Sequence, residues 1–280
     1  MQNLVKKFKK VKIFRKVQNI LWALFARTDL KEVEVRPDLK ILVYKNTKDG
    51  PSEYIAKNKT YEKVVTHYFT KFVQRDFIVF DIGANIGWFS LLGSRLVGGN
   101  GHVYSFEPEK LNFDVLRKNI ELNNIDNVVT INKAVSNING SVKLNINAKN
   151  RGAHTLLPTP DKYKSCLVEA ITIDSFVSDN NTYPDVIKID VEGAEPQVFD
   201  GMKTLLEKSK KLIIFSEFNP FFIKNGGGSP EKYIDNFLNQ NFKLFYFSSK
   251  KEKLEPIISA NDAVLSCQDG SYLNILCVKN

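Results

Sequence analysis

Three short stretches carry acids and glycines in patterns that can do chemistry. The first is Asp81-Ile82-Gly83-Ala84-Asn85-Ile86-Gly87, a GxxxG turn behind an acid. The second is YSFEPE, where Glu107 follows Gly87 by 20 residues. The third is IKIDVEGAE, where Asp190, Glu192 and Glu195 cluster. Glycine in such a turn lets the backbone bend sharply and lets a ligand approach with no Cβ in the way. The GxGxxG spacing of a dinucleotide site is absent, as is a phosphate loop ending in GK[ST], so the turn suits a nucleoside more than a diphosphate. A carboxylate on the next strand end, such as Glu107, can accept hydrogen bonds from both hydroxyls of a ribose. By itself it is equally an acid before a proline turn; the glycine turn beside it favours the ribose.

These segments need a scaffold that brings strand ends together. Residues 77–82 form an apolar run ending in acid, as a strand buried on both faces does. Helical periodicity follows from Trp88, then strands at 102–106 and 128–135 with a helix at about 111–123 between them. Residues 186–191 and 212–215 read as further buried strands around a helix at 196–206, and 242–247 and 272–278 as the last two. A helix is expected over 231–238, with Pro230 near its start. Strand–helix alternation of this kind implies a parallel sheet with right-handed crossovers. The fold class expected is α/β: a single doubly wound, mostly parallel sheet with an antiparallel C-terminal strand and an N-terminal helical and β extension. Residues 32–60 read as short strands and turns, 61–74 as a helix, 141–146 as a β insertion and 147–166 as a long loop, a type that often carries function. Asn180 to Pro184 reads as a turn.

Composition narrows the class. Of 280 residues, 43% are hydrophobic and 25% charged, ordinary for a globular chain. Three cysteines without metal-type spacing speak against a disulfide framework and for a reducing compartment. The net charge of +9 is concentrated. Residues 1–27 hold eight basic side chains and no acid; taking those eight from 40 leaves 32 basic against 31 acidic residues. A nearly neutral body is poorly suited to gripping nucleic acid. No apolar stretch is long enough to span a membrane.

Taken together, VFDIGANIGWFS, YSFEPE, TIDSF (172–176) and IKIDVEGAE resemble the FkbM family of S-adenosylmethionine-dependent, class I (Rossmann-like) methyltransferases. The resemblance covers about residues 61–247; residues 1–60 would be a basic amphipathic arm and extension, and 61–280 the methyltransferase domain. It implies that Asp81 and Gly83 border the methionine part of S-adenosylmethionine, that Ala84 belongs to the cofactor site and that Asn85 and Gly87 offer polar groups from the turn. Glu107 would hold the ribose, and Asn132-Lys133-Ala134 would pass the adenine ring. Tyr61-Glu62 resembles a pair that often precedes the first strand, so Glu62 would help order the cofactor site. Many members methylate hydroxyl groups of glycans or natural products.

A hydroxyl is a weak nucleophile and needs a base within reach or a metal that lowers its pKa. Asp190, beside the transferred methyl, is the first candidate base; as a strand-end acid it is equally a helix cap. His154 in the 147–166 loop is a second candidate, and Glu217 would line the acceptor site. Asp190, Glu192 and Glu217 are also the ligand type a divalent cation such as Mg²⁺ takes, though no spacing fixes a metal site. Glu195 reads as a first-turn helix acid, and His67 and His102 as packing and strand residues. Two other readings stand beside the O-methyltransferase acting on a sugar, glycan or natural product. One is a nucleic-acid methyltransferase, against which IDVEGAE replaces the (D/N)PPY-type segment that stacks a flipped base. The other is a non-enzymatic nucleoside-binding module.

Residues 1–27 also carry Trp22 and Phe25 within an apolar run. This reads as a helix packed on the body or as one lying on an anionic surface, which would make the protein cytoplasmic and peripheral at the inner face of a membrane. Each Lys or Arg near such a surface contributes ~1 kcal/mol. Full-length protein is expected to pellet with anionic vesicles and residues 28–280 to remain in solution. Equal, negligible pelleting of both, with a lower melting temperature for the truncated form, would instead mark a packing helix.

Overall fold

In the computed structural model, residues 30–45, 50–147, 150–158, 164–248, 253–267 and 271–280 are described. The basic arm, and with it the membrane reading, lies outside them. No helix among the described residues is long and apolar enough to cross a membrane. The elements are β1 (Leu30–Arg36), β2 (Leu39–Tyr44), α1 (Gly50–Asn58), α2 (Lys63–Phe72), β3 (Ile78–Ile82), α3 (Trp88–Val97), β4 (His102–Phe106) and α4 (Lys110–Leu122). There follow β5 (Val128–Ile131), β6 (Ala134–Val135), β7 (Gly140–Ile146), β8 (Lys164–Ile171), α5 (Ile173–Asn180), β9 (Val186–Ile189), α6 (Glu195–Asp200) and α7 (Lys203–Lys208). The chain ends with β10 (Leu212–Phe218), α8 (Pro220–Asn225), α9 (Pro230–Asn239), β11 (Lys243–Ser248), β12 (Lys253–Ile257), α10 (Ala260–Leu265) and β13 (Leu273–Lys279).

Eight strands form the central sheet in the order β12-β11-β13-β10-β9-β3-β4-β5. Pairing is parallel from β10 through β9, β3 and β4 to β5, and antiparallel at β10–β13, β13–β11 and β11–β12. The α/β fold with an antiparallel C-terminal strand is therefore as expected. Strand order reverses between β3 and β9, and in open α/β sheets ligands bind outside the carboxyl ends of the strands at such a point.

Alternation along the strands divides the core in two. Phe80, Ile82, Phe106, Ile187 and Ile189 face one side with Phe176, Phe199 and Phe237. Val79, Val103, Val186 and Phe215 face the other with Phe69, Phe89 and the N-terminal elements. Period-two burial makes this split automatic once both faces are covered. On the second face α4 holds the N-terminal hairpin by two asparagines. Asn119 Oδ1 accepts the Leu42 N–H at 2.6 Å and Asn123 Oδ1 accepts the Lys40 N–H at 2.9 Å. Their amides donate back to the Leu42 and Lys40 carbonyls, which closes the open edge of β2.

Several expectations change. Residues 50–58, read as turn, are helix α1; Pro51 in the first turn fits a helix start. The strand at 128–135 divides, and β6 joins a separate three-stranded sheet with β8 and β7. The end of the loop at 147–166 is strand β8, paired antiparallel with β7. Strand β12 and helix α10 are additions, and Ile173–Asn180 is helical with Thr172 Oγ1 capping the Ser175 N–H. The helix at 196–206 is two helices broken at Gly201. Asp174 stabilises the second by accepting the Thr204 and Leu205 N–H groups.

Gly201 has a close-approach reason to be glycine: a Cβ there would sit 2.1 Å from the Ser136 carbonyl oxygen. Gly201→Ala should cost about 1–3 kcal/mol, as overpacking does, read as a lower urea midpoint with an unchanged slope.

Candidate active site

At the carboxyl edge of β3, β4 and β9 lies a cleft of two lobes. The first, about 520 Å³ of empty space, is lined by Glu107, Ala134, Asn112, Arg151, His154 and Leu156 among others. The second, about 500 Å³, is lined by Tyr61, Asp81, Ile86, Trp88, Phe89 and Lys188 among others. Gly83, Asn85, Gly152, Asp190 and Glu192 line both and form the waist between them.

The first lobe is built by backbone satisfaction. Glu107 Oε2 accepts the Asn85 N–H and Oε1 accepts the Glu109 N–H, both at 2.8 Å. Each oxygen keeps a further lone pair, so a pair of vicinal hydroxyls can still donate to it. Burial pushes the Glu107 carboxyl up to about 8, against those N–H bonds. Asn132 spends its amide on the Glu107 and Pro108 carbonyls, and Ala134 forms the wall expected for a base. Over the lobe runs the loop after β7. The Arg151 carbonyl accepts from the Asn112 amide at 3.0 Å, and its guanidinium lies 4.7 Å from the Tyr44 ring centroid.

The turn 83–87 divides its duties. Gly83 has φ 81°, and a Cβ on it would lie 1.9 Å from the Asp190 carbonyl oxygen, so only glycine lets the β3 and β9 loops meet. Gly87 lines neither lobe. Its N–H is taken by the Ala84 carbonyl at 2.8 Å and its α-hydrogen faces Leu116, so it shapes the turn and does not offer a group to a ligand.

Lys188 is the feature sequence reasoning passed over. Its side chain is 1% exposed, yet it points from the middle of β9. Nζ donates to Asp190 Oδ2 at 3.0 Å, lies 3.8 Å from Glu62 Oε2 and stacks 5.1 Å from the Phe89 ring centroid. Burial would lower its pKa, but the Asp190 and Glu62 carboxylates outweigh that and raise it. Asp81 pairs next to it in register and accepts from Ser90 Oγ at 2.5 Å, with Ser105 donating to Ser90 behind; burial lifts the Asp81 carboxyl to about 6. A lone lysine in an otherwise apolar strand was the available signal.

Glu62 lies outside both lobes and reaches Lys188 and the Asn274 amide (3.4 Å); burial raises its pKa. Glu217 is also outside the lobes. Register puts Ser216 beside Ile189, so Glu217 stands next to Asp190 on the face that carries Lys188 and Phe215. It is 8% exposed, and no hydrogen bond reaches its carboxyl among the described residues. Burial, then the nearby Asp190 and Glu192 charges, raise its pKa well above the usual range. Glu192 is raised likewise by burial and Asp190. Glu195 accepts the Val191 and Gly193 N–H groups and holds the Asp190 loop, so it is structural. His154 lines the first lobe. Its Nδ1 accepts the Asn147 N–H at 3.0 Å, which leaves the proton on Nε2, buried and without a partner. Burial and Arg151 lower it to about 4, so the ring is neutral, and the lone pair a base would use is engaged. Among the described residues no group of three or more His, Cys, Asp or Glu side chains is arranged to hold a metal ion, so Asp190, Glu192 and Glu217 do not converge as a ligand set.

A family model described as the methyltransferase FkbM domain matches residues 81–244. The hexuronic acid methyltransferase AglP of Haloferax volcanii is 27% identical over 144 residues, which are 50% of this chain and 56% of that protein. The chain thus spans little more than half the length of the curated relative it matches. Among solved structures, the methyltransferase FkbM of Methylobacillus flagellatus KT is 14% identical, with a TM-score of 0.42 over 76% of this chain and 50% of that one. The O-methyltransferase of Bacillus cereus, solved with SAH, is 12% identical, with a TM-score of 0.45 over 78% and 81%.

Glu107, Glu195 and Asp81 are held up to about 8, 7 and 6, each first by burial. All three bind protons more tightly folded than unfolded, so stability is greatest below the unfolded carboxyl range and is lost as pH rises through these values. Thermal midpoints should fall between about pH 5 and 8.5. Glu107→Gln should flatten the upper part of that fall; an unchanged slope would mean that Glu107 is ionised throughout.

Proposed function

The chain belongs to the FkbM methyltransferase family, and from that premise we propose that it is an S-adenosylmethionine-dependent O-methyltransferase whose acceptor is a hydroxyl of a sugar, glycan or related natural product. The observation that carries the reading is the two-lobed cleft, with Glu107 at one end, Lys188 and Asp81 at the other and Asp190 at the waist. Its outline fits a nucleoside with a charged amino-acid tail. Glu107 binds the two ribose hydroxyls, Ala134 and Leu156 flank the base, and Tyr61, Asp81 and Lys188 surround the tail. S-adenosylmethionine supplies, when bound, an electrophilic methyl group on sulfur.

The residues around the waist then have separate tasks. Asp190 accepts the proton of the attacking hydroxyl; Lys188 on Oδ2 leaves Oδ1 for it. Placing the acceptor in line and in a dry pocket is the larger part of such catalysis. Glu217 lines the acceptor side, and His154 helps wall the first lobe. The acids Asp190, Glu192 and Glu62 surround one buried ammonium, with Glu217 beside Asp190, and this excess of acid favours a hydroxyl that donates over an anionic nucleophile or a nucleic-acid phosphate. The named substrate of the AglP relative is also a sugar, but an acidic one, and the excess of acid at this site favours a neutral sugar instead.

The test is methyl transfer from labelled cofactor to a panel of free sugars and glycans, with and without chelator. Glu107→Ala should weaken cofactor binding by ~100-fold, two hydrogen bonds and the loss of a buried partner together being worth about 3 kcal/mol. Asp190→Asn should slow transfer by ~10²–10⁴, with S-adenosylhomocysteine affinity held within a few fold. Full affinity in a folded Glu107→Ala protein removes the ribose assignment. Full turnover in Asp190→Asn makes that aspartate structural.

A further inference from the structure

We propose that Asp190 and Glu192, backed by Glu62 and Glu217, respond to the charge on the cofactor's sulfur and so hold S-adenosylmethionine in preference to S-adenosylhomocysteine; this rests on the cofactor reading above. The geometry comes from the cleft. In the cofactor the sulfur is bonded to the carbon next to the ribose ring. With the ribose on Glu107 in the first lobe and the amino-acid tail in the second, that sulfur must cross the waist. The waist is lined by Gly83, Asn85, Gly152, Asp190 and Glu192. Its only ionisable side chains are the two acids.

Register places more acid behind them. Glu217 stands next to Asp190 on the same sheet face, and Asn274 lies opposite Glu217 and donates to Glu62. Glu217 is nine-tenths buried with no hydrogen bond to its carboxyl among the described residues, and the Oε2 of Glu62 is buried without a hydrogen bond. Buried acids that share one cation are costly to ionise together, and an arriving cation relieves that cost. The charged groups facing Glu192 are Asp190 and Lys188 on β9 and its end, Glu195 on α6, Glu62 at the start of α2 and Glu217 at the end of β10. Tyr61 and Tyr272 complete the ring, and Arg151 and His154 lie across the first lobe. Among the described residues Lys188 is the one cation behind the waist, and it is already shared by Asp190 and Glu62.

The consequence is a proton count. With the waist empty, Glu192 and Glu217 retain protons to well above the ordinary carboxyl range, through burial and then the Asp190 charge. A sulfonium beside them favours the carboxylates and sends a proton to solvent. A neutral thioether does not. After transfer the sulfur is neutral, so the attraction that held the substrate form is gone when the product must leave.

The experiment is calorimetry on the full-length protein with S-adenosylmethionine, S-adenosylhomocysteine and sinefungin, whose amine puts a positive charge near the position of the sulfur. Runs span about pH 6 to 8.5 in buffers of different ionisation enthalpy. Ribose binding to Glu107 contributes to all three, so the ratio of affinities isolates the waist. We expect the S-adenosylmethionine to S-adenosylhomocysteine affinity ratio to rise about three- to tenfold per pH unit, as release of up to one proton requires. Buffer-dependent heat should report that proton for S-adenosylmethionine and sinefungin only. Glu192→Gln should flatten the ratio. A ratio constant within twofold across the range, or equal proton release with both cofactor forms, overturns the inference while the cofactor reading stands. Failure of all three ligands to bind the folded protein would remove the cofactor reading and this inference together.

Discussion

A single buried ammonium organises this site. Lys188 lies in β9 between Asp81 of β3 and Phe215 of β10, where every neighbouring strand position is apolar or acidic. Taking a lysine out of water is expensive, and a buried ion pair is often no more stabilising than a well-packed hydrophobic pair. What Lys188 provides is position. It fixes one oxygen of Asp190 at 3.0 Å, neutralises part of Glu62, and rests its charge over the Phe89 ring. Loss of that cation would leave three carboxylates facing one another with no counter-charge, and protonation or rearrangement of the strand end would follow.

From this point the loops are held by contact. Gly83 brings the turn after β3 against the Asp190 backbone. Glu195 ties down the Val191 and Gly193 amides, and Thr155 Oγ1 donates to the Glu192 carbonyl at 2.8 Å. The last bond joins the loop after β7 to the loop after β9, while Asn145 donates to the Leu157 carbonyl from the other side. The loop that roofs the first lobe is thereby coupled to the loop that carries Asp190 and Glu192. Both lobes depend on a few backbone hydrogen bonds that a ligand need not break.

Local signals were legible in the sequence and distant ones were not. The glycine turn, Glu107 and Asp190 sit within a few residues of strand ends, where an apolar run stopping at an acid marks the edge. Gly87 looked like part of the ligand turn because spacing does not say whether an N–H is already used. The partners of Lys188 do not share its segment: Glu62 lies far upstream, and Asn274, which orients Glu62, is 212 residues from it in sequence. Strand β8 escaped notice because its first four residues are all exposed, so no hydrophobic face sets a period. Its pairing with β7 alone defines it. Strand β12 is an edge strand containing Pro256, a residue that argues against a central strand and is tolerated at an edge. His154 read as a base by residue type, and only the Asn147 N–H on Nδ1 reveals that its free nitrogen is a donor.

The balance of charge at the sheet edge also bounds what the site can hold. Water screens surface acids, but Glu217 and Glu62 are largely enclosed, so repulsion among them acts at short range through a poor dielectric. The site can relieve it by keeping protons, by taking a cation, or by donating hydrogen bonds into the carboxylates. A sulfonium satisfies the second route and a polyhydroxyl acceptor the third. An anionic acceptor satisfies none. The same cluster that surrounds Asp190 therefore also restricts which molecules can approach it, and both the crowding and the restriction follow from one arrangement of β9, β10 and β13.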